Sequence, residues 1–179
     1  PSGLTSSNYT ISYANGALDI AKANATVTAN SSTSTYNGAN QTVSGFTASG
    51  LVGSETAAVL TGISASRTEK NAGTYAVTAS GTDTNYNLTF VDGTLTINPA
   101  ALTVTANNAS KTYDGVAYSG GNGVSYSGLV GGESASVLGG SLSYGGTSQG
   151  AINAGTGYTI VPSGLTSSNY TISYANGAL

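Results

Sequence analysis

The chain contains no cysteine, histidine, methionine or tryptophan, and only three prolines and two phenylalanines. Without cysteine or histidine it cannot build a Cys/His zinc site, a histidine- or thiolate-ligated haem, a Cys–His nucleophile or a Ser–His–Asp triad from its own residues. Disulfide staples are excluded as well, so any secreted module here must gain stability from stacked units. Charge is also scarce. Four Lys and Arg stand against seven Asp and Glu, 6% of the residues, where an ordinary domain carries roughly a quarter. That leaves no electrostatic footprint for nucleic acid or an anionic membrane. No apolar run approaches the roughly twenty residues of a membrane span, and no basic, apolar leader opens the chain.

What is present is polar and small. Glycine occurs 26 times, and Ser, Thr, Asn and Ala fill most other positions. Such a composition suits disordered low complexity, but Val, Ile, Leu and Tyr fall at regular alternating positions, which disorder does not require. The chain also repeats itself. Pro1 to Leu18 (PSGLTSSNYTISYANGAL) reappear unchanged as Pro162 to Leu179, a period of 161 residues. The sequence reads as a window on a tandem array, and arrays usually provide length, stiffness or many weak contacts.

A second, more diverged repeat lies inside the period. Val27–Asn30 returns at Val104–Asn107 and Ser34–Gly38 returns as Lys111–Gly115, both shifted by 77 residues. Ser49–Glu55 matches Ser127–Glu133 at a shift of 78, Asn71–Thr74 matches Asn153–Thr156 at 82, and Asn85–Leu95 matches Asn169–Leu179 at 84. The order is kept while the second copy gains insertions. The organisation expected is therefore a C-terminal hairpin of a preceding unit over residues 1–23, one unit over 24–100, and a second over 101–179 that stops short of its last strand. Short joints, Ala21–Asn24 and Asn98–Ala101, leave little room for hinges.

Strand signals dominate. Leu88–Val91 and Thr94–Ile97 flank Asp92-Gly93, and Tyr9–Ala14 and Ala17–Ile20 flank Asn15-Gly16, with Asn176-Gly177 as its copy. Asn-Gly and Asp-Gly between alternating runs predict type I′ hairpins, whose two central residues both need positive φ. On that reading Leu88, Phe90, Leu95 and Ile97 share one buried face, and Leu102, Val104 and Ala106 line another half-buried strand. Asn37-Gly38 and Asp114-Gly115 are turns of the same chemical kind. Gly53–Leu60 and Gly131–Leu138 read either as one or two helical turns, with Glu55 or Glu133 near the N-terminus, or as loops entering strands. The fold class expected is all-β with at most a short helical turn per unit, as tandem β-grasp-like or immunoglobulin-like domains joined into a rod. Strands of eight to ten residues would add roughly 26–33 Å per unit.

At this point the motifs carry a resemblance. Lys111-Thr112-Tyr113-Asp114-Gly115, Gly128–Glu133, Asn153–Thr156 and Asn169–Tyr174 together resemble the YDG repeat of very large bacterial adhesins of filamentous-haemagglutinin type. Thr35–Gly38, Asn71–Tyr75 and Tyr86–Phe90 are similar to the sister MBG repeat. The resemblance implies an extracellular or bacterial cell-surface location, tandem β-rich modules, and a role in adhesion or biofilm matrix. Asn37 stands where the YDG triplet has Asp, so an acid is not required there in both units.

Candidate chemistry is thin. Asp114 and Glu133 form a conceivable carboxylate pair, but their counterparts are Asn37 and Glu55, and a turn role explains Asp114. The seven acids are scattered and include no Asp-x-Asp-x-Asp-Gly run, so no calcium loop is expected. No enzyme activity, metal or cofactor is expected. Seven Asn-x-Ser/Thr sequons, at Asn8, Asn24, Asn30, Asn40, Asn87, Asn108 and Asn169, suit either chance or glycosylation, and Lys22, Lys70 and Lys111 are the lysines available for an isopeptide link. Tyr36/Tyr113 and Tyr86/Tyr170 recur at equivalent positions, as core or corner residues do. Tyr118, Tyr126 and Tyr144 lie where the second unit departs from the first, which makes them the candidate ligand face. The expected function is a stalk or filament repeat that projects adhesive contacts, its partners being neighbouring repeats. The alternatives are a weak glycan-binding repeat that takes surface glycans or exopolysaccharide through avidity, and a filament subunit joined to identical chains by strand pairing.

Overall fold

The computed structural model describes residues 1–179. The first unit comprises β1 (Ala23–Ala29), β2 (Ser32–Thr35), β3 (Gln41–Ser44), β4 (Phe46–Ser49), β5 (Ile63–Glu69), β6 (Gly73–Val77), β7 (Ala79–Gly81), β8 (Tyr86–Val91) and β9 (Gly93–Asn98). The second comprises β10 (Ala100–Ala106), β11 (Val124–Ser127), β12 (Gly139–Gly145), β13 (Thr159–Thr166), β14 (Tyr170–Ala175) and β15 (Gly177–Ala178). The chain is all-β. Its two 3₁₀ turns, Ala57–Val59 and Ala135–Val137, fall inside the two segments read as helical turns or loops. The longest strand has eight residues and most have four to seven, so the strands are shorter than the sequence suggested.

Three-stranded sheets form the units: β4-β1-β8, β2-β9-β6 and β3-β5-β7 in the first, β11-β10-β14 and β12-β13-β15 in the second. β1 pairs antiparallel with β4 and parallel with β8, Ala23 opposite Tyr86; β10 does the same with β11 and β14, Ala100 opposite Tyr170. Period-two alternation sets each core. Ala25, Val27 and Ala29 of β1, Leu95 and Ile97 of β9, and Ala100, Leu102, Val104 and Ala106 of β10 are buried. The core is thin, with 22 of 179 residues buried and a total surface of 10866 Å². A compact monomer of 17.5 kDa would expose roughly 7,900 Å². Stability per unit therefore rests on few residues, and neighbour contacts matter.

The expected hairpins are not hairpins. β8 and β9, on either side of Asp92-Gly93, belong to different sheets, and so do β14 and β15 around Asn176-Gly177. No non-glycine residue has positive φ, and neither do Gly16, Gly93 or Gly177, so none of these pairs makes a type I′ turn. Gly93 and Gly177 serve close approach instead. A Cβ on Gly93 would lie 2.3 Å from the Asn30 carbonyl oxygen, and one on Gly177 2.6 Å from that of Ala106. The chain thus switches sheets across a buried corner that no side chain fits. In consequence Leu95 and Ile97 are buried while Leu88 is half-buried and Phe90 is 36% exposed. The Asn37-Gly38 and Asp114-Gly115 turns do form. Gly38 and Gly115 have φ of +78° and +75°, and the preceding Oδ1 accepts the N–H two residues on, Ala39 at 3.0 Å and Val116 at 2.9 Å.

Residues 1–22 form no strand and are exposed throughout. The hairpin expected around Asn15-Gly16 is therefore absent. Its copy in the second unit is held by β10 and β13, and residues 1–22 have no such strands beside them.

Candidate functional site

The junction between the units carries the densest specific chemistry in the chain. β9 ends at Asn98 and β10 begins at Ala100, so Pro99, with its fixed φ, is the whole connection. Both flanks are gripped. The Asn98 carbonyl accepts the Tyr36 N–H at 2.8 Å, and the Ala100 N–H donates to the Asn169 carbonyl at 2.9 Å.

Tyr36 leaves the end of β2 and enters the second unit, where it is only 3% exposed. Its hydroxyl donates to Glu133 Oε1 at 2.5 Å, while the Tyr170 hydroxyl donates to Oε2 of the same carboxylate at 2.6 Å. The two rings meet edge to face, with centroids 5.5 Å apart at 82°. The Tyr170 hydroxyl also accepts the Val130 N–H at 3.0 Å. Beside this clasp, Asn169 Oδ1 accepts the Ala72 N–H at 2.8 Å and Asn169 Nδ2 donates to Asn71 Oδ1 at 3.1 Å. The backbones of Gly38 and Gly131 pack so closely that a Cβ on Gly38 would lie 3.2 Å from the Gly131 Cα.

Electrostatics follow from this geometry. The hydrogen bond to the Glu133 carboxylate, helped by burial, pushes the Tyr36 phenol up to about 12. Burial, then Glu133, raises Tyr170. Glu133 is lowered by the hydroxyls of Tyr170 and Tyr36, with a smaller contribution from the Lys70 charge. Such an arrangement can hold two domains in fixed orientation.

Each half of the clasp recurs at the outer end of a unit. At the start of the first unit, the Tyr86 hydroxyl donates to Glu55 Oε2 and accepts the Val52 N–H at 2.9 Å. The Glu55 bond raises Tyr86. A cavity of about 260 Å³ opens there, lined by residues including Val52, Glu55, Asn85 and Tyr86. At the far end of the second unit, Tyr113, the counterpart of Tyr36, is 64% exposed. Asp114, beside it, is lowered by the Val116 N–H and by Lys111, whose ammonium lies at 3.0 Å.

Tyr118, Tyr126 and Tyr144 are each half-buried and lie on three separate elements. Tyr126 is on β11 and packs against the core. Tyr144 is on β12 opposite Pro162, with its ring over Gly121. Tyr118 is in the loop before β11 and lines a cavity of about 70 Å³ with Tyr113 and Tyr158. The structure does not gather them on one exposed strand face. The clasp was half visible in sequence, because Tyr36, Glu55 and Tyr86 all recur as Tyr113, Glu133 and Tyr170. What the repeat could not show is that a tyrosine of one unit meets the glutamate of the next.

Comparison with known proteins places the units. Residues 25–96 and 102–179 both match the same family model, described as MBG domain (YGX type). No curated protein and no solved structure matches the chain. No helix is long and apolar enough to cross a membrane.

Proposed function

We propose, because the chain belongs to the MBG family as two tandem YGX-type domains, that it serves as a load-bearing stalk repeat of a bacterial adhesin. MBG domains are usual in secreted and surface proteins, which supplies the setting. One observation carries the finer reading. The Tyr36–Glu133–Tyr170 clasp, with a single proline between β9 and β10, fixes one unit on the next. A stalk needs this property, because a hinge at each joint would collapse its reach. The repeated units then set the distance at which adhesive contacts are displayed, and no catalysis is assigned to them.

Small-angle scattering on the chain and on Tyr36→Ala tests the reading. The expected result is one extended rigid particle for the parent and a broadened distribution of inter-unit angles for the variant. Independent tumbling of the two units in the parent would sink it. The glycan-binding alternative has less support, since its three tyrosines are half-buried on separate elements.

A further inference from the structure

Cysteine, methionine, tryptophan and histidine are the side chains that usually intercept oxidants, and this chain has none of them. Its twelve tyrosines are therefore its most readily oxidised groups, and their hydrogen bonds differ. Tyr75, Tyr158 and Tyr174 donate to the backbone carbonyls of Asn71, Asn153 and Leu165 at 3.1, 3.2 and 3.1 Å. A carbonyl oxygen cannot keep a phenol's proton. Tyr36, Tyr86 and Tyr170 donate to carboxylates, which can, and of these only Tyr36 and Tyr170 share one.

Sharing one carboxylate brings the two phenolic ends together. The Tyr36 hydroxyl lies 2.5 Å from Glu133 Oε1 and the Tyr170 hydroxyl 2.6 Å from Oε2, so the ring carbons beside both hydroxyls lie at the same end of the pair. The rings already touch, with centroids 5.5 Å apart. Both tyrosines are buried, while Glu133 between them is half-buried and reaches water. Burial does not stop a one-electron oxidant, because an electron crosses a few ångströms of protein without contact. A phenol that has lost an electron is a strong acid, and its proton has an acceptor at hydrogen-bond distance. Glu133 can then pass that proton to solvent. Neither unit makes this site alone, since Tyr36 follows β2 in the first and Tyr170 opens β14 in the second.

We propose that Tyr36 and Tyr170 are a cross-linking site, joined by a one-electron oxidant, such as peroxide activated by a haem peroxidase, into a dityrosine that ties the two units covalently. Each phenol gives one electron to the oxidant and its hydroxyl proton to Glu133, which releases it to water before taking the next. The two phenoxyl radicals combine at the ring carbons beside their oxygens, forming one C–C bond. The hydrogen on each of those carbons then moves to its phenolic oxygen, which restores both aromatic rings. The balance is two electrons and two protons lost for one bond made. In a chain without cysteine, the link does what a disulfide would do in an oxidising extracellular setting. Its use as a lock on the joint rests on the stalk reading; the coupling chemistry does not.

The test oxidises the full chain, dilute enough that chains rarely meet, with illuminated ruthenium tris-bipyridine and persulfate, followed by trypsin and mass spectrometry. Cleavage after Lys22, Arg67, Lys70 and Lys111 leaves Tyr36 on residues 23–67 and Tyr170 on 112–179. The expected product is these two fragments joined, two hydrogens lighter than their sum, with fragmentation placing the bond at Tyr36 and Tyr170. Tyr36→Phe and Tyr170→Phe should each lose it, since neither ring then has a phenol to oxidise. The parent oxidised in urea should lose it too, which keeps the test independent of how the variants fold. Glu133→Gln, with scattering confirming a closed junction, should form the bond about tenfold more slowly. Oxidation at the exposed Tyr113 without the joined fragments, their survival in either Phe variant, or an unchanged rate in Glu133→Gln would overturn the proposal. If no bond forms while scattering shows one rigid particle, the cross-link is lost and the stalk reading stands. If the bond forms between units that tumble independently, the stalk reading falls and the cross-linking site stands.

Discussion

Pro1–Leu18 and Pro162–Leu179 are the same eighteen residues in two states. In the second copy Pro162, Tyr170 and Gly177 are buried in strands, with β14 along β10 and β15 along β13. In the first copy every residue is exposed and none is in a strand. One local feature is common to both. The Tyr13 hydroxyl holds the Leu4 N–H at 2.7 Å and its carbonyl at 3.1 Å, as Tyr174 holds Leu165 at 2.8 and 3.1 Å. The tyrosine corner is thus a property of the segment, and the strand a property of its neighbours. The pair Tyr36 and Tyr113 repeats the lesson at the level of a side chain, buried where a neighbouring unit is present and exposed where none is.

The largest way to break this comparison is to remove the neighbour's core. Leu102, fully buried in β10 opposite Ile172, should cost about 4 kcal/mol as Leu102→Ala. Hydrogen exchange should then show Tyr170–Ala175 as unprotected as Tyr9–Ala14.

Next comes the clasp. Tyr36→Ala should cost about 3 kcal/mol in urea unfolding, from the buried ring and the carboxylate oxygen left without its donor. Tyr113→Ala should stay within about 0.5 kcal/mol of the parent. Equal costs would mean that the junction adds nothing to Tyr36.

A smaller effect should appear with pH. The Tyr36 phenol is raised, so its contribution is complete below the unfolded value near 10 and is lost as pH rises toward about 12. Glu133 is lowered, so its contribution is complete above the unfolded carboxylate value and fades as pH falls through the depressed one. Ultraviolet titration should find Tyr36 ionising late in the parent and Tyr170 ionising earlier in Glu133→Gln than in the parent. An unchanged tyrosine titration in that variant would remove the carboxylate from the account.

The smallest change expected is at the turns. Asn37→Ala should lower the melting temperature more than Asp114→Ala, because only the Asn37 turn packs against the next unit, at Gly131. The reverse order would place the value of these turns in local geometry alone.

Much of the fold could be read from residues one at a time or in pairs. Alternation in β1, β9 and β10 marked the buried positions, because the pleat sends successive side chains to opposite faces. Asn37-Gly38 and Asp114-Gly115 were legible as turns, because Asx side chains bond locally and glycine takes positive φ freely. Asp92-Gly93 and Asn176-Gly177 misled. The same dipeptide serves a corner where a carbonyl of another strand leaves no room for a Cβ, and nothing local separates that case from a hairpin. Glu55 and Glu133 misled in the same way, since as helix-start acids they carried no hint of the tyrosines that they accept.

By itself the sequence determined the repeat, the all-β class, the apolar faces and the exclusion of cysteine- and histidine-based chemistry from its own side chains, because these follow from composition and short-range periodicity. Tertiary structure alone decided which strands pair, that β1 runs parallel to β8 across most of a unit, that Tyr36 crosses to Glu133, and that one of two identical segments stays unpaired. Each of those depends on groups far apart in the chain, whose hydrogen bonds and burial exist only once a neighbour is in place.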